Sequence, residues 1–190
     1  MPETAKNEVR AVLEKFQDGY VRRDKTLIDD FRRLFVPDRE LEVIGTGGIV
    51  PGDGEWCLGA DAACDLFLND WEHWGDLQLD IPNAQIHILG DVAWLSVTGT
   101  VNMELEPEEA YQKYLEYIDE VANDEKRSPR ARLLEILRGG TNTVFEAERG
   151  KVYVWPLRFT AVLARRGGNW LFHQIHFSFA TTRFPDVRNV

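Results

Sequence analysis

From Lys151 to Ala180 the chain reads KVYVWPLRFTAVLARR, then Gly167 and Gly168, then NWLFHQIHFSFA. Two long runs that alternate apolar and polar residues around a diglycine specify a β-hairpin, because a two-residue turn needs positive φ and glycine adopts it freely. An isolated pair of strands is marginal in water, so one face of this hairpin must lie on another layer. If the turn is the tight one, Arg166 faces Asn169, and counting outward sets Phe159 opposite His176 and Leu157 opposite Ser178. A bulge would move that register. Strict alternation groups Trp170, Phe172, Gln174, His176 and Ser178 on one face and Leu171, His173, Ile175, Phe177 and Phe179 on the other.

The covering layer is written upstream. Val9, Val12, Leu13, Phe16 and Tyr20 recur at intervals of three and four between Glu3 and Val21, the spacing of an amphipathic helix. Asp24 is placed to cap a shorter helix whose stripe is Leu27, Ile28, Phe31, Leu34 and Phe35, and Pro37 stops it. A strand at Leu41 to Gly45 leads to the loop TGGIVPGDG, too rich in Gly and Pro for regular structure. The short strand GEWCLG then feeds a third helix, with Asp61 placed to cap it, Ala63, Leu66, Phe67, Trp71 and Trp74 on one face, and Gly75 at its end.

After Gly75 the period changes to two through LQLDI, AQIHIL and VAWLSVTGTVNME. From Glu106 to Gly140 helical spacing returns, first in Tyr111, Tyr114, Leu115, Ile118 and Val121. A second helix then starts at Ser128-Pro129 and ends at Gly139-Gly140. Helices first and long strands afterwards indicate an α+β fold: a curved antiparallel sheet wrapped around the N-terminal helices, with residues 106–140 as a helical insertion between strands. At 190 residues with 44% hydrophobic and 11% aromatic content, the chain suits a single domain, 1–190, with one substantial core.

A net charge of −10 opposes phosphate-rich polymers and anionic membranes, so no nucleic acid and no membrane is expected as partner. No apolar run approaches the roughly 18 residues of a membrane span, and the polar N-terminus MPETAKNEVR lacks a signal-peptide core. The expected location is cytoplasmic, where Cys57 and Cys64 stay reduced.

The ordered set IGTG (Ile44 to Gly47), GEWCLG (Gly54 to Gly59), NDWEHWG, GDVAWLS (Gly90 to Ser96) and RFTAVLARRGGNWLFHQIHFS (Arg158 to Ser178) resembles the nuclear transport factor 2-like superfamily, and in particular its SnoaL-like branch. Trp170, His176 and Ser178 are also similar to the association domain of calcium/calmodulin-dependent kinases. The resemblance covers about residues 5 to 105 and 150 to 180; the insertion is longer than most relatives carry. It implies a cone-shaped α+β domain with a pocket, a homodimer formed through the sheet, and no cofactor. The family mixes dehydratases, isomerases, epoxide hydrolases and cyclases with proteins that only bind or oligomerise, so fold alone does not assign activity.

Among candidate residues Asp70 is the most informative. At 100° per residue it projects between Leu66, Phe67 and Trp74, where a carboxylate is costly unless paired or neutral. Acids so placed serve as general bases or protonated donors, or are tied structurally to an Arg or to backbone amides. His176 is the second catalytic candidate, because imidazole exchanges a proton near neutral pH; a core or interface role competes. Arg158 suits a carboxylate or other anion, against the alternative of a surface ion pair.

Trp56, Trp74, Trp94, Phe172, Gln174 and Ser178 complete the expected ligand-binding set, the aromatics as walls of a largely apolar cavity. Ser178 has no nucleophile-elbow context. The loop GTGGIVPGDG lacks both the Walker lysine and GxGxxG, which argues against a nucleotide. Asp70 and His73 alone make a poor metal set, so no metal is expected. Three functions remain open: binding of a small, largely apolar ligand, cofactor-independent acid and base catalysis on a small hydrophobic carbonyl compound, and an oligomerising module with a vestigial pocket.

Overall fold

A computed structural model describes residues 2–104, 106–125, 127–148 and 151–179. Ala180, the expected last residue of the hairpin, lies outside them. Five helices and seven strands follow one another as α1 (Pro2–Arg22), α2 (Ile28–Arg32), β1 (Glu42–Ile44), β2 (Trp56–Leu58), α3 (Ala60–His73), β3 (Asp76–Leu79), β4 (Gln85–Leu89), β5 (Val92–Glu104), α4 (Pro107–Ala122), α5 (Pro129–Ala147), β6 (Val152–Arg166) and β7 (Asn169–Phe179). The fold class is α+β, with one open sheet in the order β2-β1-β7-β6-β5-β3 and β4 also on β5. One pair departs from the expected antiparallel pattern: β1 runs parallel to β7, Val43 beside Ile175.

The described residues form two compact units, 2–102 with 155–179, and 103–154. In the first, Phe16 of α1 is fully buried and touches seven aromatic rings, Tyr20, Phe31, Phe35, Phe67, Phe159, Phe172 and Phe177, at centroid distances of 5.3 to 6.3 Å. The tilted and edge-on geometries favour the ring quadrupoles. Helix and sheet periodicities thus converge on one aromatic centre, as their apolar faces dictate.

The β6–β7 hairpin turns at Gly167 (φ 55°) and Gly168 (φ 85°), the two positive-φ residues of a type I′ turn. Near the turn the register is the expected one, with Arg166 opposite Asn169 and Leu163 opposite Phe172. It then shifts by one residue, because Val162 pairs with Gln174 and leaves His173 as an extra residue. Phe159 therefore faces Phe177 and Leu157 faces Phe179, not His176 and Ser178. The bulge corrects the grouping of faces as well. It brings Trp170 and Phe172 onto the buried face with Ile175 and Phe177, and leaves Gln174, His176 and Ser178 on the outer one.

Three helix ends differ from expectation. Asp24 caps a 3-10 turn, Lys25–Leu27, through Thr26, and α2 follows it. Asp61 lies inside the first turn of α3 and pairs with Arg32, while Gly59 (φ 96°) stands at the cap. The last helix starts as read, with Ser128 Oγ accepting from the Ala131 amide, but it runs through Gly139 and Gly140 to Ala147. Those glycines are contact points: a Cβ on Gly139 would come within 2.6 Å of the Tyr114 ring.

Candidate active site

Tyr20 closes the buried stripe of α1, and its ring is walled by Phe16, Phe67 and Trp74. A buried phenol needs a partner for its hydroxyl. That partner is Asp70 of α3, whose Oδ2 accepts from the Tyr20 hydroxyl at 2.8 Å. Asp70 sits mid-stripe as its spacing requires, and among the described residues this phenol is the one hydrogen-bond donor to its carboxylate.

The electrostatics follow from burial. Desolvation raises the Asp70 carboxyl from the usual carboxylate range to about 7; the Tyr20 hydrogen bond opposes the rise, the Glu55 carboxylate adds to it, and Arg23 opposes it. Tyr20 is pushed well above its ordinary value, first by burial and then by Asp70, so it stays a neutral donor. Arg23, at φ 51° just beyond α1, is held by the Tyr20 carbonyl at 3.1 Å and by Asp76 at 2.9 Å. It remains a remote counter-charge with no bond to Asp70.

Asp70 opens onto a cavity of about 150 Å³. Leu66, Trp74 and Phe177 supply its apolar walls, and Glu55, Asn69 and His73 its polar ones. This is well below the roughly 300 Å³ lower limit of drug-sized sites, and suits a compound of a few carbons. The glycine-rich loop after β1 has a local task here. A Cβ on Gly45 would fall 2.5 Å from a Glu55 carboxylate oxygen and one on Gly47 3.0 Å from the other, while the Gly47 amide donates to Glu55 at 2.6 Å. The amide aim of the loop is thus spent on its own Glu55, not on a ligand phosphate.

Of the residues expected in the site, the structure brings together Asp70 and Trp74. Arg158 and His176 are corrected to the outer face: both are exposed, Arg158 donates to the Phe179 carbonyl at 2.8 Å, and His176 pairs with Ile44 and Thr160. The bulge at His173 turns His176 outward, whereas Arg158 faces outward through the unbroken alternation of β6, between buried Leu157 and Phe159. Ser178 lies opposite Arg158 on the same outer face. Gln174 donates to Glu42, which also accepts from the Trp56 indole at 2.7 Å, so both residues belong to an outer-face network. Trp94 is 44% exposed and stacks on His87 at 5.4 Å. Phe172 is wholly core.

Tyr20 and Glu55 are the participants that sequence spacing left unassigned. Nothing distinguishes a tyrosine from a phenylalanine in a core stripe, and only the distance across the fold pairs it with Asp70. Cys57 and Cys64 are free and buried, and burial pushes both thiols up, which makes them poor nucleophiles. Among the described residues no group of three His, Cys, Asp or Glu gathers as a metal set would, and no helix is long and apolar enough to cross a membrane.

No family model matches the chain, and no curated protein matches it. Solved structures do. An NTF2-like superfamily protein from Salmonella enterica serovar Typhimurium aligns at 14% identity and TM-score 0.60, over 98% of this chain and 99% of its own. A Streptomyces avermitilis protein of the NTF2-like family, with a provisional dehydratase assignment, aligns at 11% identity and TM-score 0.58, over 95% and 99%. An uncharacterised protein with a cystatin-like fold from Caulobacter vibrioides aligns at 13% identity and TM-score 0.54, over 96% and 92%. At these identities the likeness speaks for architecture: the chain has the NTF2-like, cystatin-like α+β fold.

Proposed function

We propose that the chain is a cofactor-independent acid–base catalyst acting on a small, largely apolar carbonyl compound, with Asp70 as the proton carrier. One observation carries this reading: a carboxyl raised to about 7 by burial, held by a single phenol, faces a small cavity with both apolar and polar walls. Near pH 7 such a group is close to half ionised, which is the condition for both taking and returning a proton. In an elimination, ionised Asp70 removes the proton beside the carbonyl and returns it to the departing hydroxyl, leaving an alkene and water. Tyr20 acts as a positioning residue that fixes the carboxyl's orientation. Asn69 and His73, on the same cavity, are the side chains available to the carbonyl oxygen. The dehydratase assignment of the Streptomyces relative supports elimination as the reaction type.

The test uses a panel of small β-hydroxy ketones, following alkene formation and exchange of the proton beside the carbonyl in deuterium oxide. Asp70→Asn keeps an acceptor for Tyr20 and is expected to lower turnover by roughly 10²–10⁴-fold. Turnover at the wild-type level in that variant would overturn the assignment. A compound that raises the thermal midpoint without being converted would replace catalysis with ligand binding.

A second observation supports self-association through the outer face of the sheet: Trp94 stands 44% exposed on β5, stacked on His87 of β4. An exposed indole on a sheet face is the kind of anchor that interfaces bury. Trp94→Glu is expected to reduce the molar mass in solution, and an unchanged mass would remove this face as the contact.

A further inference from the structure

The unit formed by residues 103–154 holds an amphipathic surface that nothing described covers. α4 and α5 pack antiparallel: the Tyr114 hydroxyl donates to the Ile136 carbonyl, Tyr117 to Glu135 at 3.3 Å, and Arg132 to the Ala122 carbonyl at the far end. Gly139 and Gly140, against the Tyr114 ring, therefore mark the side of α5 that faces α4. Roughly 90° further round lie Leu133, Leu137 and Val144, exposed by 62%, 56% and 48%. Leu115 of α4, 58% exposed, projects to the same flank. Large apolar side chains at spacings of four and seven on one helix are the pattern of a helix–helix seam.

The charges at the ends of this stripe say what fits it. Arg130 begins it and Glu148 closes it, and no hydrogen bond or ion pair engages either side chain among the described residues. α5 carries no acid in its first turn and no base in its last. Its own macrodipole favours the reverse, acids at the N-terminus and bases at the C-terminus. The arrangement works against an isolated α5 and is relieved when a second helix of the same sequence lies antiparallel to it. In that alignment Arg130 meets the second copy's acidic end, Leu133 meets its Val144 position, and the dipoles oppose. A parallel alignment would set like charges side by side. An isologous contact demands this self-complementarity, each residue i on j and j on i.

We propose that a second copy of this chain docks here, α5 on α5, antiparallel across a two-fold axis, with α4 of each copy at the flank. α5 has 19 residues, and at 1.5 Å each and two helices wide its face offers roughly 500 Å² per copy. About 1,000 Å² in total lies at the low end of specific interfaces, so the contact is weak and salt-sensitive. It is separate from the sheet-face contact and does not rest on the catalytic reading.

Sedimentation equilibrium of the full chain tests it, in the wild type and in Trp94→Glu. A concentration-dependent association step is expected in both. Its dissociation constant should rise at least about tenfold, the effect of removing one buried leucine or one charge pair, in Leu137→Glu and in Arg130→Glu. The double variant Arg130→Glu, Glu148→Arg should recover most of the loss, because it restores the pair with its signs exchanged. Arg130→Glu places an acid in the first turn of α5, so its thermal midpoint should not fall, which separates lost docking from lost folding. A wild-type chain that shows no such step up to about 1 mM, a value beyond which contacts of this size are not specific, would overturn the proposal. So would a step unchanged in Leu137→Glu, or one that appears only when a different protein is added.

Discussion

The two compact units treat their apolar side chains in opposite ways. Around Phe16, residues of α1, α2, α3, β6 and β7 contribute aromatic rings that are all but fully buried. In the helical hairpin Val121 and Ala147 are buried, while Leu115, Leu133, Leu137 and Val144 stand in solvent. The first unit satisfies its own periodicity internally, and there a single buried acid becomes chemically distinctive because everything near it is apolar. The second has helical stripes wider than one neighbouring helix covers. The same patterning that makes a core in one place makes a docking surface in the other.

The contrast is broken most severely from the core. Phe16→Ala removes a fully enclosed ring and should cost about 3–5 kcal/mol of unfolding free energy, measured by urea denaturation. A loss below about 1 kcal/mol would mean that the aromatic centre is not the cohesive element described.

Asp70→Asn should have the next largest effect, and in the opposite direction. Burial raises the folded carboxyl to about 7, against an ordinary 3.8 for a solvated aspartate. The folded state thus binds the proton more tightly than the unfolded one, and the associated stability is full below about pH 4 and lost as pH rises through 7. The asparagine variant escapes that loss. Its advantage over wild type should grow between pH 4 and 7 and then level off, reaching at most about 4 kcal/mol. Stability curves that stay parallel across this range would show that Asp70 titrates normally.

Gly139→Ala is expected to weaken the hairpin by about 1 kcal/mol, because a methyl group against the Tyr114 ring outweighs the better helix propensity of alanine. Amide exchange across α4 and α5 reads this locally, and protection that increases would show that the ring simply moves aside. Smallest of all, Leu137→Ala should leave monomer stability within about 0.5 kcal/mol, as truncation at an exposed site does. A loss of 2 kcal/mol or more, the scale of a buried leucine, would place Leu137 inside a core and erase the comparison.

Much of the architecture follows from local chemistry that the sequence displays. The stripe of α1, the diglycine turn, the Ser128-Pro129 start of α5 and the period-two runs each act within a few residues, so their outcome is legible before folding. Asp70 is legible for a related reason: a carboxylate in an apolar stripe conflicts with its neighbours wherever the helix packs. Even the bulge left a trace, since Trp170 and Phe172 alternate out of phase with Ile175 and Phe177, and one face can bury all four only if an extra residue intervenes.

Tertiary structure decided the rest. Whether Gly139 and Gly140 end a helix depends on Tyr114, a residue 25 positions away. Whether His176 reaches the cavity depends on a one-residue shift that reverses the direction of every β7 side chain beyond it. The partnership of Tyr20 with Asp70 joins residues 50 apart, and the place of Glu55 beside them depends on how a glycine loop folds back. Spacing along a chain sets which residues share a face. Only packing sets which faces meet, and the shift of Asp70 to about 7 arises from that meeting, because burial acts through the atoms that gather around the carboxyl and not through those adjoining it in sequence.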